Sequence, residues 1–270
     1  MTTGCKLRRQ TTNSTVSLLS MSEYSHDTIV PFPDSKKKKK NQVAEMFNQI
    51  AFRYDFMNHF LSGGLDLYWR RQAIKELQDS RPDTVLDVAT GTGDMAILLA
   101  RNLQTNKIIG IDISEGMLSL GRKKVDKLGI SDQVQLHIGD GETINFPDNA
   151  FQAITIAFGV RNFENLEKGL AEMLRVLKPG GKLVILEFSK PKRSFFRALC
   201  HLYLKVIAPK IGRFVSHNKA AYQYLNESVQ AFPEGEELVR ILIQSGYRET
   251  YKKTLSMGIC SIYCGTKFSI

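Results

Sequence analysis

The sequence predicts an α/β fold: a doubly wound, mainly parallel sheet with an antiparallel hairpin at its C-terminal edge and helical cover. Two observations lead to this class. Between residues 84 and 188, short apolar segments typical of buried strands alternate with segments of helical periodicity. Near the C-terminus, residues 247–254 and 258–267 read as two strands joined by a short turn. Strands joined so closely pair antiparallel, because a parallel pair needs a long crossover connection.

Composition limits the protein classes that fit. The chain has 270 residues, of which 43% are hydrophobic and 24% charged, as expected for one globular domain or one domain plus appendages. No stretch approaches 18 consecutive apolar residues, so no transmembrane helix is expected. The net charge is +10, yet no cationic stripe interleaved with aromatic residues is present, which argues against nucleic-acid binding. The four cysteines form no C-x-x-C pair, so we expect no metal site and a reduced, cytoplasmic setting.

Residues 1–40 are predicted to be a disordered basic leader and linker, followed by one domain over residues 41–270. The leader holds eight lysines and arginines against three acidic residues, but neither an organelle-import pattern nor a secretory apolar core. This favours a bacterial cytoplasm. The run Lys36 to Lys40 is predicted to be solvated, and the alternative is attraction to an anionic membrane surface.

Two entry helices are predicted over residues 41–80, before the first strand. Apolar residues recur at three- and four-residue spacing from Val43 to Tyr54, and a second helix over residues 65–77 follows the break at Ser62-Gly63-Gly64. These helices can close over a site at the strand ends. The alternative is core packing alone, which explains the apolar positions but explains less well why Tyr54, Asp55 and Asn58 crowd on the first helix.

Strand and helix then alternate in the βαβ rhythm of a parallel sheet. The predicted strands are residues 84–89, 107–111, 133–138, 151–157 and 182–188, and the predicted helices are residues 94–103, 114–128 and 166–177. Ligands of such sheets bind beyond the carboxyl ends of the strands. Polar or glycine signals stand at four of these ends: Asp87 with Gly91, Asp112, Asp140 and Phe158.

The turn after the first strand, in TVLDVATGTGD (84–94), is the strongest local signal. Gly91 and Gly93 permit a tight turn and close approach of a ligand, and Gly91-x-Gly93-x-x-Ala96 satisfies a dinucleotide fingerprint. Asp112 follows about 20 residues later, as that fingerprint expects. The same layout serves S-adenosylmethionine, whose ribose needs an acidic partner after the second strand. The turn alone leaves both cofactors open.

Residues 193–231 interrupt the alternation and are predicted to form an inserted helical cover. A basic amphipathic helix over residues 193–211 fits a membrane surface or an apolar ligand, and packing on the core is the alternative. Helices near residues 218–230 and 234–244 follow.

Longer motifs resemble one family. Residues 54–69, YDFMNHFLSGGLDLYW, and residues 175–189, RVLKPGGKLVILEFS, resemble the two signatures of the ubiquinone/menaquinone biosynthesis C-methyltransferases (the UbiE/MenG family). The segment FGVRN (158–162) matches the family between them. The resemblance runs from about residue 43 to the C-terminus. One departure is Asp66, which stands where the family often has histidine.

The resemblance implies a class I S-adenosylmethionine-dependent methyltransferase fold and a set of site residues. S-adenosyl-L-methionine is the implied cofactor. The implied cofactor-binding residues are Gly91, Thr92, Gly93, Asp112, Asp140 and Gly141. The candidates for catalysis are Arg161, which would stabilise a developing quinolate, and Asn162 and Tyr54, which would orient the ring. A structural salt bridge is the alternative for Arg161.

The implied reaction is C-methylation of a polyprenylated hydroquinone, converting demethylmenaquinol to menaquinol. The alternatives are methylation of a 2-polyprenyl-6-methoxybenzoquinol in ubiquinone biosynthesis, another lipid acceptor, an NAD-dependent dehydrogenase and a catalytically silent scaffold. The prenyl tail implies peripheral attachment to the inner face of the cytoplasmic membrane, and a homodimer is a further expectation.

Overall fold

A computed structural model describes residues 24–191 and 219–268 of the chain. The helices in these ranges are α1 (Lys39–Leu61), α2 (Leu65–Lys75), α3 (Asp94–Asn102), α4 (Glu115–Lys127), α5 (Leu166–Val176), α6 (Lys219–Ala231) and α7 (Glu236–Gln244). The strands are β1 (Thr84–Val88), β2 (Lys107–Asp112), β3 (Val134–Ile138), β4 (Phe151–Ala157), β5 (Leu177–Phe188), β6 (Tyr247–Leu255) and β7 (Cys260–Lys267).

All seven strands form one sheet in the order β3-β2-β1-β4-β5-β7-β6. The first five strands of the chain are parallel, and β7 pairs antiparallel with both β5 and β6. The predicted parallel sheet with an antiparallel C-terminal hairpin is therefore confirmed. Because β1 to β5 are parallel, their carboxyl ends meet at one edge of the sheet.

Alternating side chains of β1 divide the core into two layers, one on each face of the sheet. Val85 packs with α2, α3 and α4, whereas Leu86 and Val88 pack with α5 and α7. These three side chains are fully buried. Asp87, two residues from Val85, belongs to the face covered by α2 and α3.

The segment before α1 differs from the predicted linker. His26 is fully buried, its ring meets the edge of Phe232 at a centroid distance of 5.0 Å, and its carbonyl accepts a 2.6 Å hydrogen bond from Lys39 Nζ. Burial lowers the pKa of His26 to about 3 and that of Lys39 to about 8. The prediction of a disordered linker up to residue 40 is therefore wrong for residues 24–40. Residues 1–23 lie outside the described ranges.

Helix α1 begins at Lys39, two residues before the predicted start, so it includes the last two lysines of the basic run. Lys39 is buried, and Lys40 bonds to Asp140. The prediction that the whole run is solvated is wrong at these two positions, because successive side chains on a helix point in different directions.

The predicted helical cover falls partly on described residues. Helix α6 is present, and its buried Tyr224 packs against Val43 and Met46 of α1. The predicted amphipathic helix over residues 193–211 lies outside the described residues. Within the described ranges, no helix is both long and apolar enough to cross a membrane.

Candidate active site

The glycine turn after β1 is held in place by the carboxylate of Asp112. One carboxylate oxygen accepts a hydrogen bond from the Gly91 N–H and the other from the Ser114 N–H, each at 2.8 Å. Burial raises the pKa of Asp112, and these backbone donors oppose that effect. Gly91 and Gly93 have φ angles of 58° and 79°, which explains why glycine stands at both positions. The ends of β1 and β2 are thereby joined into one rigid unit.

A cavity lies over the carboxyl ends of β1 to β4, where the sequence placed a ligand site. Six predicted site residues line it: Tyr54, Gly91, Asp112, Asp140, Gly141 and Asn162. Lys40, Phe47 and Glu142 also line the cavity, although none of them was a predicted site residue. The structure therefore brings residues far apart in the chain together around one space.

Thr92, Gly93 and Arg161, which were also predicted site residues, do not line this cavity. Thr92 is 2% exposed, and its hydroxyl donates to the carboxylate of Asp55. Gly93 forms the N-cap of α3. The spacing of the motif placed both residues in the turn correctly, but it does not specify which way a side chain points.

Arg161 is buried and paired with Glu187. Its Nη1 donates to Glu187 Oε1 at 2.9 Å and to the carbonyl of Phe158 at 2.5 Å. Arg161 is 5% exposed and Glu187 is 1% exposed. Burial raises the pKa of Glu187, and the charge of Arg161 opposes that rise. The salt bridge that stood as the alternative for Arg161 is therefore present.

Tyr54 and Asn162 face the cavity with partners of their own. The Asn162 side-chain oxygen accepts a 3.1 Å hydrogen bond from the Tyr224 hydroxyl, which ties α6 to this edge. The Tyr54 ring meets the edge of Phe47 at a centroid distance of 5.7 Å. Burial raises the pKa of Tyr54, while a hydrogen bond with Asn58 lowers it. Tyr54 is therefore a neutral phenol at physiological pH.

Helix α1 crosses the strand ends and contacts three successive loops. Lys40 bonds to Asp140 after β3, and Asn48 accepts from the Ser114 hydroxyl and the Gly116 N–H after β2, each at 2.8 Å. Asp55 accepts from Thr92 after β1. The prediction that an entry helix closes over the strand ends agrees with these contacts.

A chain of charged groups beside the glycine turn links α1 to α4. Lys124 Nζ lies 2.9 Å from Asp55 and 2.5 Å from Asp94. His59 Nδ1 lies 2.7 Å from the buried carboxylate of Asp66. The imidazole of His59 thus lies beside Asp66, the position at which the family often has histidine. No sequence signal singled out Lys124.

Comparison with known proteins decides the family. The profile of the ubiE/COQ5 methyltransferase family matches residues 35–267. The chain belongs to this family. It is 46% identical to the demethylmenaquinone methyltransferase of Bacteroides fragilis over 90% of this chain and 99% of that protein. It is 45% identical to the ubiquinone/menaquinone biosynthesis C-methyltransferase UbiE of Geobacter sulfurreducens, over 85% of this chain and 90% of that protein.

A solved structure with the same fold is the [4+2]-cyclase SpnF, with a TM-score of 0.63 and 17% identity over 86% of this chain and 97% of that chain. This likeness concerns the fold alone, since one fold hosts many chemistries. For a member of the ubiE/COQ5 methyltransferase family, the two interpretations of the glycine turn are resolved in favour of S-adenosylmethionine over a nicotinamide dinucleotide.

Asp87 of this methyltransferase, one of the predicted strand-end signals of a ligand site, lies beneath the turn and does not line the cavity. It is 1% exposed, and its two oxygens accept from Thr90 and Thr155 at 2.6 and 2.7 Å. Burial raises the pKa of Asp87 to about 6, against the hydrogen bonds of the two threonines and the charge of Arg70.

Asp87→Asn is expected to gain stability relative to the wild type as the pH rises from 4 to 7. The folded-state pKa of about 6 lies above the ordinary 3.8, so the folded state binds more protons in this window. The contribution of this carboxyl to stability is therefore full below 3.8 and lost as the pH rises through about 6. The loss amounts to about 3 kcal/mol at most.

Urea unfolding of both proteins at several pH values measures the difference. Asp79→Asn, which alters an exposed carboxylate, is the control and should show no such trend. A difference between Asp87→Asn and wild type that stays constant with pH would contradict the prediction.

Proposed function

We propose that this protein is an S-adenosylmethionine-dependent C-methyltransferase that converts demethylmenaquinol to menaquinol. One observation supports S-adenosylmethionine as the methyl donor. The carboxylate of Asp112 lines the cavity at the end of β2, where a hydrogen bond from Gly91 holds it beside the glycine turn. The assignment of demethylmenaquinol as the methyl acceptor is supported by the Bacteroides fragilis relative, a demethylmenaquinone methyltransferase that the chain matches over nearly that protein's whole length.

The residues of the cavity fit the cofactor chemically. An ionised carboxylate offers about four acceptor positions, and the backbone donors Gly91 and Ser114 use only two of those on Asp112. The remaining positions suit the two ribose hydroxyls. A side chain at Gly91 would meet no atom within 4 Å, so the space above this backbone is open. Asp140 and Gly141 flank the position proposed for the adenine.

The cofactor supplies a methyl group on a positively charged sulfur. The protein must hold the quinol ring in line with it, which can contribute up to roughly 7–11 kcal/mol. We assign this orienting role to Asn162 and Tyr54, because both line the cavity. Arg161 lies behind Phe158 and is held by Glu187. We therefore assign it a positioning role, in which the Arg161–Glu187 pair fixes Phe158 at the edge of the cavity.

A second candidate acceptor is a 2-polyprenyl-6-methoxybenzoquinol, because the name of the Geobacter sulfurreducens relative covers both quinones. Methyl transfer from labelled S-adenosylmethionine to each reduced acceptor, run anaerobically beside a tube without acceptor, tests the proposal. Label in the demethylmenaquinol tube alone supports it. Label in both tubes makes the enzyme dual-specific. Label in neither, with cofactor binding intact, overturns the quinone assignment.

We also propose that the enzyme attaches peripherally to the inner face of the cytoplasmic membrane, because its substrate carries a prenyl tail. A row of aromatic side chains on α1 supports this. Phe52, Phe56 and Phe60 are 88%, 57% and 52% exposed. They recur every four residues and so share one helix face, and the last two rings stack at 5.6 Å.

A homodimer remains a prediction that light scattering can test.

The triple variant Phe52→Ser/Phe56→Ser/Phe60→Ser is expected to bind anionic liposomes at least 10-fold more weakly than wild type. Burying each ring in the bilayer contributes about 1.5–3 kcal/mol. Liposome flotation measures the bound fraction. Ile243→Ser, which removes an exposed apolar side chain from α7, should float like the wild type. Equal flotation of the triple variant would rule out this face as the contact.

A further inference from the structure

Within the part of the chain that the structure describes, Arg70 of α2 is a buried cation that pairs with no carboxylate. It is 6% exposed, and its guanidinium carbon lies 5.3 Å from the ring centroid of Phe158, a cavity-lining residue. Its Nε has no hydrogen-bond partner, and within residues 24–191 and 219–268 it forms no ion pair. Outside these ranges, residues 192–218 contain neither aspartate nor glutamate, and the carboxylates are those of Glu23 and of the C-terminus at Ile270.

The other buried arginine of this region, Arg161, differs from Arg70 because it does have a carboxylate partner. Arg161 lies 5.6 Å from the centroid of Phe188, whose ring packs on Phe158 at 4.6 Å. Two guanidinium groups therefore flank a pair of aromatic rings. Glu187 neutralises Arg161. Asp87 shares the face of the sheet with Arg70, and Asp66 lies one turn before Arg70 on α2, but the described residues show no ion pair between Arg70 and either carboxylate. The oxygens of Asp87 accept from Thr90 and Thr155, and those of Asp66 bond to His59 and Ser62.

An unpaired buried charge lowers folding stability, and a ligand anion that pairs with it recovers that loss on binding. The sheet order indicates which part of a bound cofactor would lie near Arg70. The cavity crosses the ends of β3, β2, β1 and β4 in turn, at Asp140, Asp112, Gly91 and Phe158. Neighbouring strands are about 4.8 Å apart, so this path is roughly 14 Å long.

The proposed function lays S-adenosylmethionine along this path, with its adenine at Asp140 and its ribose at Asp112. Its amino-acid end then falls near Phe158, beside Arg70. We infer that Arg70 binds the α-carboxylate of the bound cofactor. The planar, permanently charged guanidinium suits a carboxylate, because it can donate two parallel hydrogen bonds. This inference rests on the proposed function, since it presumes that cofactor.

Isothermal titration calorimetry with two ligands tests the pairing: S-adenosylhomocysteine and its analogue that lacks the carboxylate. Arg70→Met is expected to weaken binding of S-adenosylhomocysteine by about 10- to 100-fold, as for loss of a hydrogen bond to a charged group. The analogue should bind wild type and variant equally. Arg71→Met, which changes the exposed neighbour on the same helix, is the control and should leave both affinities unchanged.

A thermal melt of the ligand-free proteins separates binding from a structural role. Arg70→Met should melt at or above the wild-type temperature, because it removes an unpaired buried charge. A large drop in melting temperature, or equal weakening of both ligands, would overturn the inference. So would unchanged S-adenosylhomocysteine affinity with lost quinol turnover, which would assign Arg70 to the acceptor. If the wild type itself fails to bind S-adenosylhomocysteine, the proposed function fails first.

Discussion

Asp112→Ala is expected to weaken S-adenosylmethionine binding by about 100-fold or more. The carboxylate accepts the N–H groups of Gly91 and Ser114 and, under the proposed function, both ribose hydroxyls. A hydrogen bond to a charged group contributes about 1.5–3 kcal/mol, so loss of the two ribose contacts alone accounts for that factor. The variant also frees the glycine turn from β2, which adds to the loss.

Calorimetric titration with S-adenosylhomocysteine measures this effect, with the melting temperature recorded to confirm folding. Asp132→Ala, which removes an exposed carboxylate, serves as the matched control and should bind normally. Wild-type affinity in Asp112→Ala would mean that the cofactor does not lie along the path from Asp140 to Phe158. The placement of adenine and ribose would then have to be abandoned.

Glu187→Ala is expected to lower the free energy of unfolding by about 3–5 kcal/mol, because it leaves the Arg161 guanidinium buried without its counter-charge. Arg161 and Glu187 are both almost fully buried and lie 2.9 Å apart. Urea unfolding followed by circular dichroism measures the change. Glu172→Ala removes a half-buried carboxylate that pairs with Arg175 near the surface, and it should cost far less. Similar losses in the two variants would contradict this account.

The double variant Arg161→Met/Glu187→Leu separates stability from chemistry. Replacing a whole buried ion pair by apolar side chains is often neutral for stability. We therefore expect this variant to fold and to bind cofactor, but to turn over more slowly than wild type. A folded double variant with wild-type turnover would end the assignment of Arg161 to the reaction and leave it a purely structural residue.

The architecture could be predicted because it depends on features that a sequence displays directly. Five apolar strands alternate with helices, and Gly91 and Gly93 occupy positions with positive φ. The strand-end rule placed Asp112 and Asp140 correctly, since parallel strands bring their carboxyl ends to one edge. These inferences needed only chain order and the period of burial.

The direction of individual side chains could not be predicted in the same way. Thr92 lies in the expected turn yet donates to Asp55, and Arg161 lies in the expected segment yet pairs with Glu187. Lys39 and Lys40 resemble their neighbours in a basic run, but a helix begins there and turns each one toward a different partner. Arg70 and Arg71 are identical and adjacent, and only the packing of α2 buries one of them.

The three loop contacts of α1 also constrain the timing of the catalytic cycle. One rigid helix holds the loops after β3, β2 and β1 through Lys40, Asn48 and Asp55. Under the proposed function the spent cofactor lies beneath this helix, so we expect it to leave only when the helix lifts and these contacts break together. We therefore expect departure of S-adenosylhomocysteine, more than methyl transfer, to set the steady-state rate. A burst of methylated product in the first turnover would be its kinetic signature.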